Sequence, residues 1–146
     1  GSWCENRAAE RSPVRFSDRT EDLVLVASRS HRDERLERLI DALPLGSSKA
    51  VGSVGCKVAT ILRGEADVYI SLSGKSAPKD WDMAAPEAVL LAAGGAFTHA
   101  DGRLLTYNTG DVRQAGCLIA SHGKAHAALE DQAARAMAEI DPGFPV

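Results

Sequence analysis

Apolar positions along this chain switch repeatedly between two periods, and the alternation predicts an α/β protein. Leu23-Val24-Leu25-Val26-Ala27 is a continuous apolar run of strand length, as a strand buried on both faces requires. Leu36, Leu39, Ile40 and Leu43 then recur at helical spacing up to Pro44, with Ser30 as N-cap and Asp33 and Glu34 in the first turn. A strand around 49–51 leads into Gly52-Ser53-Val54-Gly55. A short helix from Cys56 to Arg63 follows, with Val58, Ala59, Ile61 and Leu62 inward and Gly64 at its end. Asp67 to Leu72 reads as a strand, Ser73 to Lys79 as an exposed loop, and Asp82 to Ala93 as a helix. Ala96–His99 and Arg103–Tyr107 alternate around Asp101-Gly102, which predicts a hairpin. Cys117 to Ala120 is another buried strand, and Lys124 to Glu139 a last helix that stops before Pro142. The expected architecture is a layered mixed sheet with flanking helices over 22–146, preceded by a polar surface lead-in over 1–21.

A length of 146 residues suits one domain with a real core. The 45% hydrophobic and 25% charged content is that of an ordinary globular protein. A net charge of −3 excludes a general nucleic-acid binder, which needs a basic face. It leaves room for a local basic pocket that takes a phosphorylated ligand. The three cysteines, Cys4, Cys56 and Cys117, show no zinc spacing and no disulfide framework, so the expected setting is reducing and cytoplasmic. No apolar run approaches the roughly 18 residues of a membrane span. Residue 1 is Gly, and the methionines stand at 83 and 137. The expectation is a fragment, a processed chain or one half of a split enzyme.

Two segments carry candidate chemistry. In Gly52-Ser53-Val54-Gly55-Cys56-Lys57, between a strand and a helix, glycines permit close backbone approach and the helix start attracts phosphate. Ser53 offers a hydroxyl and Lys57 a point charge to the same oxygens. The alternative is a tight turn with a solvated lysine. In Lys79-Asp80-Trp81-Asp82, a carboxylate stands at the mouth of a helix, where it either caps the helix or holds a hard divalent cation. Asp80 is a second candidate carboxylate there, and Lys75 and Lys79 place two cations beside it. His31, behind Ser28-Arg29-Ser30 at the exit of a buried strand, lies at the edge where α/β sheets place ligands; otherwise it is an exposed helix-start residue. His99, His122 and His126 have no partner at convincing spacing and read as surface residues.

Trp81-Asp82 through Gly94-Gly95 to Asp101-Gly102, together with Ser28-Arg29-Ser30-His31 and Gly52 to Lys57, resembles the inositol-monophosphatase-like phosphatases, specifically their 3′(2′),5′-bisphosphate nucleotidase branch. The motifs occur in family order over roughly residues 22 to 130. The family's upstream Glu and its Asp-Pro-hydrophobic-Asp-Gly-Thr segment are absent, since Asp141-Pro142 runs into Gly-Phe-Pro. The resemblance therefore covers the C-terminal half only, that of the αβαβα sugar-phosphatase fold.

The resemblance implies Asp82 as a catalytic residue and ligand to Mg²⁺ (two or three ions shared with the absent half). Trp81 would be a packing anchor for it. Ser30, His31, Gly52, Ser53, Lys57 and Lys75 would bind substrate. It implies hydrolysis of 3′-phosphoadenosine 5′-phosphate to AMP and phosphate, with activity only beside the complementary N-terminal half. The rival readings are an inositol-1-phosphate or other sugar-phosphate phosphatase and a non-catalytic phosphate-binding or interaction module. Ser71 stands where the nucleotidases commonly carry an Arg, which loosens the substrate assignment within the family. Expected partners are the N-terminal half or a second copy of the chain, with neither a nucleic-acid polymer nor a membrane.

Overall fold

Leu23–Ala27 forms the strand β3 that the apolar run predicts, with Leu25 and Ala27 facing one side of the sheet and Val24 and Val26 the other. The structure, a computed structural model, describes residues 2–28 and 33–146. A small antiparallel pair, β1 (Trp3–Glu5) and β2 (Arg11–Pro13), precedes β3. Then follow α1 (Glu34–Ala42), β4 (Leu45–Ala50), α2 (Val54–Leu62), β5 (Val68–Ser73), α3 (Asp80–Ala92), β6 (Ala96–His99), β7 (Gly116–Ser121) and α4 (His126–Ile140). The main sheet runs β4-β3-β5-β7-β6. β4, β3 and β5 are parallel, while β7 is antiparallel to both of its neighbours. This is the mixed α/β layering expected.

Each sheet face has its own core. Leu25, Ile119, Leu36, Leu39, Leu129 and Met137 pack under α1 and α4. Val26, Leu118, Phe97, Val58, Ile61, Met83 and Leu90 pack under α2 and α3. The outward sides of the two helical layers differ. α1 and α4 expose Glu34, Glu37, Arg38, Asp41, Asp131, Arg135 and Glu139, whereas α3 exposes Trp81, Ala84, Ala85, Ala88, Val89, Leu91 and Ala92 around a single charge, Asp82.

Several local expectations shift. The residue capping α1 is Asp33, whose side chain accepts from the Leu36 N–H at 3.0 Å, so it precedes the helix it was expected to enter; Ser30 lies outside the described residues. α2 begins at Val54, two residues early, because Ser53 caps it. α3 begins at Asp80, because the Asp82 carboxylate reaches back to accept from the Lys79 N–H, one half of a capping box. The second hairpin strand does not form: residue 104 makes only an isolated bridge to Thr98, and β6 pairs with β7. The segment beyond is drawn instead across the start of α3. Tyr107 donates its hydroxyl to Glu87, and Asp80 accepts from Asn108 N–H at 2.9 Å and Gln114 Nε2 at 2.7 Å.

Trp81 is not a packing anchor, being 70% exposed. The buried positions of α3 are Met83, Glu87 and Leu90, one helical stripe, and a residue two places before Met83 points to the opposite side. His122 and His126 are buried, not on the surface. His126 Nε2 lies 2.8 Å from Thr98 Oγ1 and its Nδ1 2.8 Å from Ser121 Oγ. His122 Nδ1 accepts from Lys124 N–H at 3.1 Å, which leaves Nε2 to donate to the Arg19 carbonyl at 2.9 Å. His99 is half-buried, and burial lowers its pKa.

Candidate functional site

A cavity of about 850 Å³ opens at the carboxyl ends of β4, β3 and β5, where open α/β sheets place their ligands. The first residues of three helices line it: Asp33 caps α1, Ser53 caps α2 and Lys79 caps α3. Aligned peptide dipoles make each such end attractive to negative charge. Two of the three already have their own carboxylates, Asp33 for α1, and Asp80 and Asp82 for α3. The first turn of α2 contains no acidic residue.

Ser53 holds that turn in a costly shape. Its φ of +47° with ψ of 151° is a conformation that L side chains rarely adopt. Its Oγ accepts from the Cys56 N–H at 3.1 Å. One turn on, Lys57 is 3% exposed, with its ammonium 5.0 Å from the centre of the Tyr69 ring and donating to the Ser53 carbonyl at 3.4 Å. Among the described residues no carboxylate pairs with it. Burial pushes its pKa down, the ordinary response of a cation short of compensation. Tyr69 is buried in turn, and desolvation raises its phenol pKa.

Asp82 lies across the same cavity. Its Oδ2 accepts from the Lys79 N–H at 2.9 Å, and among the described residues Oδ1 has no partner. Pro86, four residues on, has no N–H to give the Asp82 carbonyl, so the helix leaves that oxygen without its usual bond. Both oxygens of Asp80 are taken by Asn108 and Gln114, which makes Asp80 a brace for the start of α3. Ser28, Ser71, Ser73 and Ser76 add hydroxyls to the lining.

The cavity thus gathers Gly52, Ser53, Lys57 and Asp82. Lys75 is exposed and does not line it, whereas Lys79 does. Ser30 and His31 lie outside the described residues. Sequence reasoning passed over Tyr69, which supports the buried ammonium, and Arg35 on the rim; a tyrosine inside an apolar strand was the available signal for the first.

Mg²⁺ favours near-octahedral coordination by about six oxygens. Among the described residues no three His, Cys, Asp or Glu side chains converge to hold a metal. Asp82 suits the role of one carboxylate ligand, and the described residues supply no second and third beside it.

The sequence profile of the inositol monophosphatase family matches residues 1–138. The chain is 33% identical over 85 residues to the 3′(2′),5′-bisphosphate nucleotidase 1 of Mus musculus, covering 58% of this chain and 27% of that protein. It is 41% identical over 59 residues to the 3′-phosphoadenosine 5′-phosphate phosphatase of Mycobacterium leprae (strain TN), covering 40% of this chain and 21% of that protein. Its fold is similar to that of the Thermotoga maritima IMPase, with a TM-score of 0.67 at 20% identity, over 87% of this chain and 47% of the other. The chain thus spans about half the length of that solved relative and about a quarter of the curated ones.

Proposed function

Since the chain belongs to the inositol monophosphatase family, we propose that it forms the substrate-binding half of a Mg²⁺-dependent phosphomonoesterase acting on 3′-phosphoadenosine 5′-phosphate. One observation carries this reading: among the described residues Lys57 is a nearly buried cation without a counter-ion, and of the three helix starts that line the cavity the one it stands at has no acidic residue in its first turn. A phosphoryl group placed there meets an ammonium, the first N–H groups of α2 and the Ser53 hydroxyl together.

Each residue then has a defined task. Lys57 and Ser53 hold and orient the phosphate, Gly52 keeps the approach open, and Asp82 offers its unpartnered oxygen to a cation on the opposite wall. When bound, Mg²⁺ supplies activation of water and neutralisation of developing charge. Its other ligands would come from the complementary N-terminal half. The apolar outer face of α3 and the open edge strand β4 suit association with that half, and a second copy is the competing occupant. The named activities of the mouse and mycobacterial relatives favour the nucleotide over an inositol phosphate. The serine-rich wall, with Ser71 in place of a cation, favours the sugar phosphate instead.

The test is Mg²⁺-dependent phosphate release from 3′-phosphoadenosine 5′-phosphate and from inositol 1-phosphate. Each is assayed with the chain alone and with the N-terminal half added. The reading expects no turnover by the chain alone and preferential hydrolysis of the nucleotide by the pair. Preference for inositol 1-phosphate overturns the substrate, and an inactive pair overturns the reaction.

A further inference from the structure

The basic side chains lining the cavity are not equivalent. Among the described residues they are Arg35, Lys57 and Lys79. Arg35 is committed: it donates to Asp33 at 2.8 Å and to Asp141 at 3.1 Å, and its guanidinium stacks 4.7 Å from the centre of the Phe144 ring. Lys57 has only the Ser53 carbonyl. Lys79 is half-buried, and its ammonium has only the Ala77 carbonyl, at 3.1 Å. Among the described residues no carboxylate forms an ion pair with the Lys79 ammonium, although Asp82 Oδ1 is open. Asp111 is gripped by Arg113 at 2.7 and 2.9 Å, Asp80 by Asn108 and Gln114, and Asp82 Oδ2 by the Lys79 backbone.

Among the described residues, two cations without an ion pair therefore face one cavity from different elements. One stands at the start of α2 and the other at the start of α3. The Lys79 backbone N–H is tied to the Asp82 carboxylate, which fixes where the lysine side chain leaves the start of α3. From this inventory we propose that Lys79, not Lys75, binds a second phosphoryl group. It is the residue that makes the site prefer a ligand carrying two phosphoryl groups over one carrying a single group. The assignment rests on the phosphate-binding reading of Lys57 given above, and it adds the specificity that Lys57 alone does not provide. Lys75, exposed and off the cavity, has no part in it.

Titration calorimetry on the purified chain tests this with adenosine 3′,5′-bisphosphate, 3′-AMP, 5′-AMP and inorganic phosphate as probes. Wild type is expected to bind the bisphosphate at least about tenfold more tightly than either mononucleotide, the worth of one charge-assisted contact. Lys79→Gln should erase that advantage, Lys79→Arg should restore most of it, and Lys75→Gln should leave it intact. Lys57→Gln should weaken inorganic phosphate itself. An advantage that survives Lys79→Gln, or one that disappears with Lys75→Gln, overturns the assignment to Lys79 while leaving the phosphate site standing. A wild-type chain that binds none of the four probes overturns the phosphate site and this assignment with it.

Discussion

Two buried charges at opposite ends of the sheet have opposite fates. At the amino end, Asp67 is fully buried and its carboxylate accepts from Ser17 Oγ, from Arg19 Nε at 2.7 Å and from the Val24 N–H at 2.7 Å, with His122 close by. At the carboxyl end, Lys57 is nearly as buried, yet it has one long bond to a carbonyl and the face of a tyrosine ring. Burying a charge is costly unless it is paired and hydrogen-bonded. Asp67 meets that condition, and its effect is to pin the lead-in segment to the core. Among the described residues Lys57 does not, and the proposed phosphate site rests on that difference. Satisfied buried charge marks structure, and unsatisfied buried charge marks function.

The comparison breaks most visibly at Asp67. Asp67→Ala strands the Val24 N–H and removes the acceptor shared by Ser17 and Arg19, and should cost about 3 kcal/mol of folding stability by chemical denaturation. Lys57→Met should do the reverse, raising stability by about 1 kcal/mol while abolishing phosphate binding, because it removes an uncompensated buried charge and fills the same space. A loss of stability in Lys57→Met would place the lysine in the structural class beside Asp67.

Ser53 sharpens the contrast on a smaller scale. Ser53→Ala forfeits the α2 cap and should cost about 1 kcal/mol. Ser53→Gly should recover most of that, since glycine tolerates the positive φ. Thermal melts of the pair would reveal the strain at the carboxyl end, and equal melts would show there is none.

Acid separates the two ends as well. Desolvation raises the Asp67 pKa, but the bonds from Arg19, Ser17 and the Val24 N–H outweigh it and hold it below the ordinary 3.8. A carboxyl depressed in the folded state stabilises fully above its unfolded pKa and loses that contribution as pH falls through the folded one. Wild type should therefore lose stability below about pH 4, and Asp67→Asn should flatten that limb of the profile.

Much of this was legible before folding. The run Leu23 to Ala27 reads as a strand because both its faces are apolar, and β3 has those bounds. The motif at Gly52 to Lys57 and the carboxylate at Asp82 were visible as local patterns, since a turn and a helix mouth are local. The rest depends on contacts between distant segments. The burial of His122 follows from the Arg19 carbonyl and that of His126 from Thr98, neither of which is near in sequence. Arg103 to Tyr107 alternates as a strand does, but Glu87 and Asp80 capture the segment that follows. Choosing between Lys75 and Lys79 likewise needed the course of the loop, because both stand close to Asp82 in sequence.

The most direct measurement is the thermal midpoint of wild type and Lys57→Met, each with and without millimolar inorganic phosphate. If Lys57 is held uncompensated for an anion, phosphate raises the wild-type midpoint, whereas the variant starts higher and does not respond. A variant that melts lower than wild type, together with a wild-type midpoint indifferent to phosphate, would contradict the account.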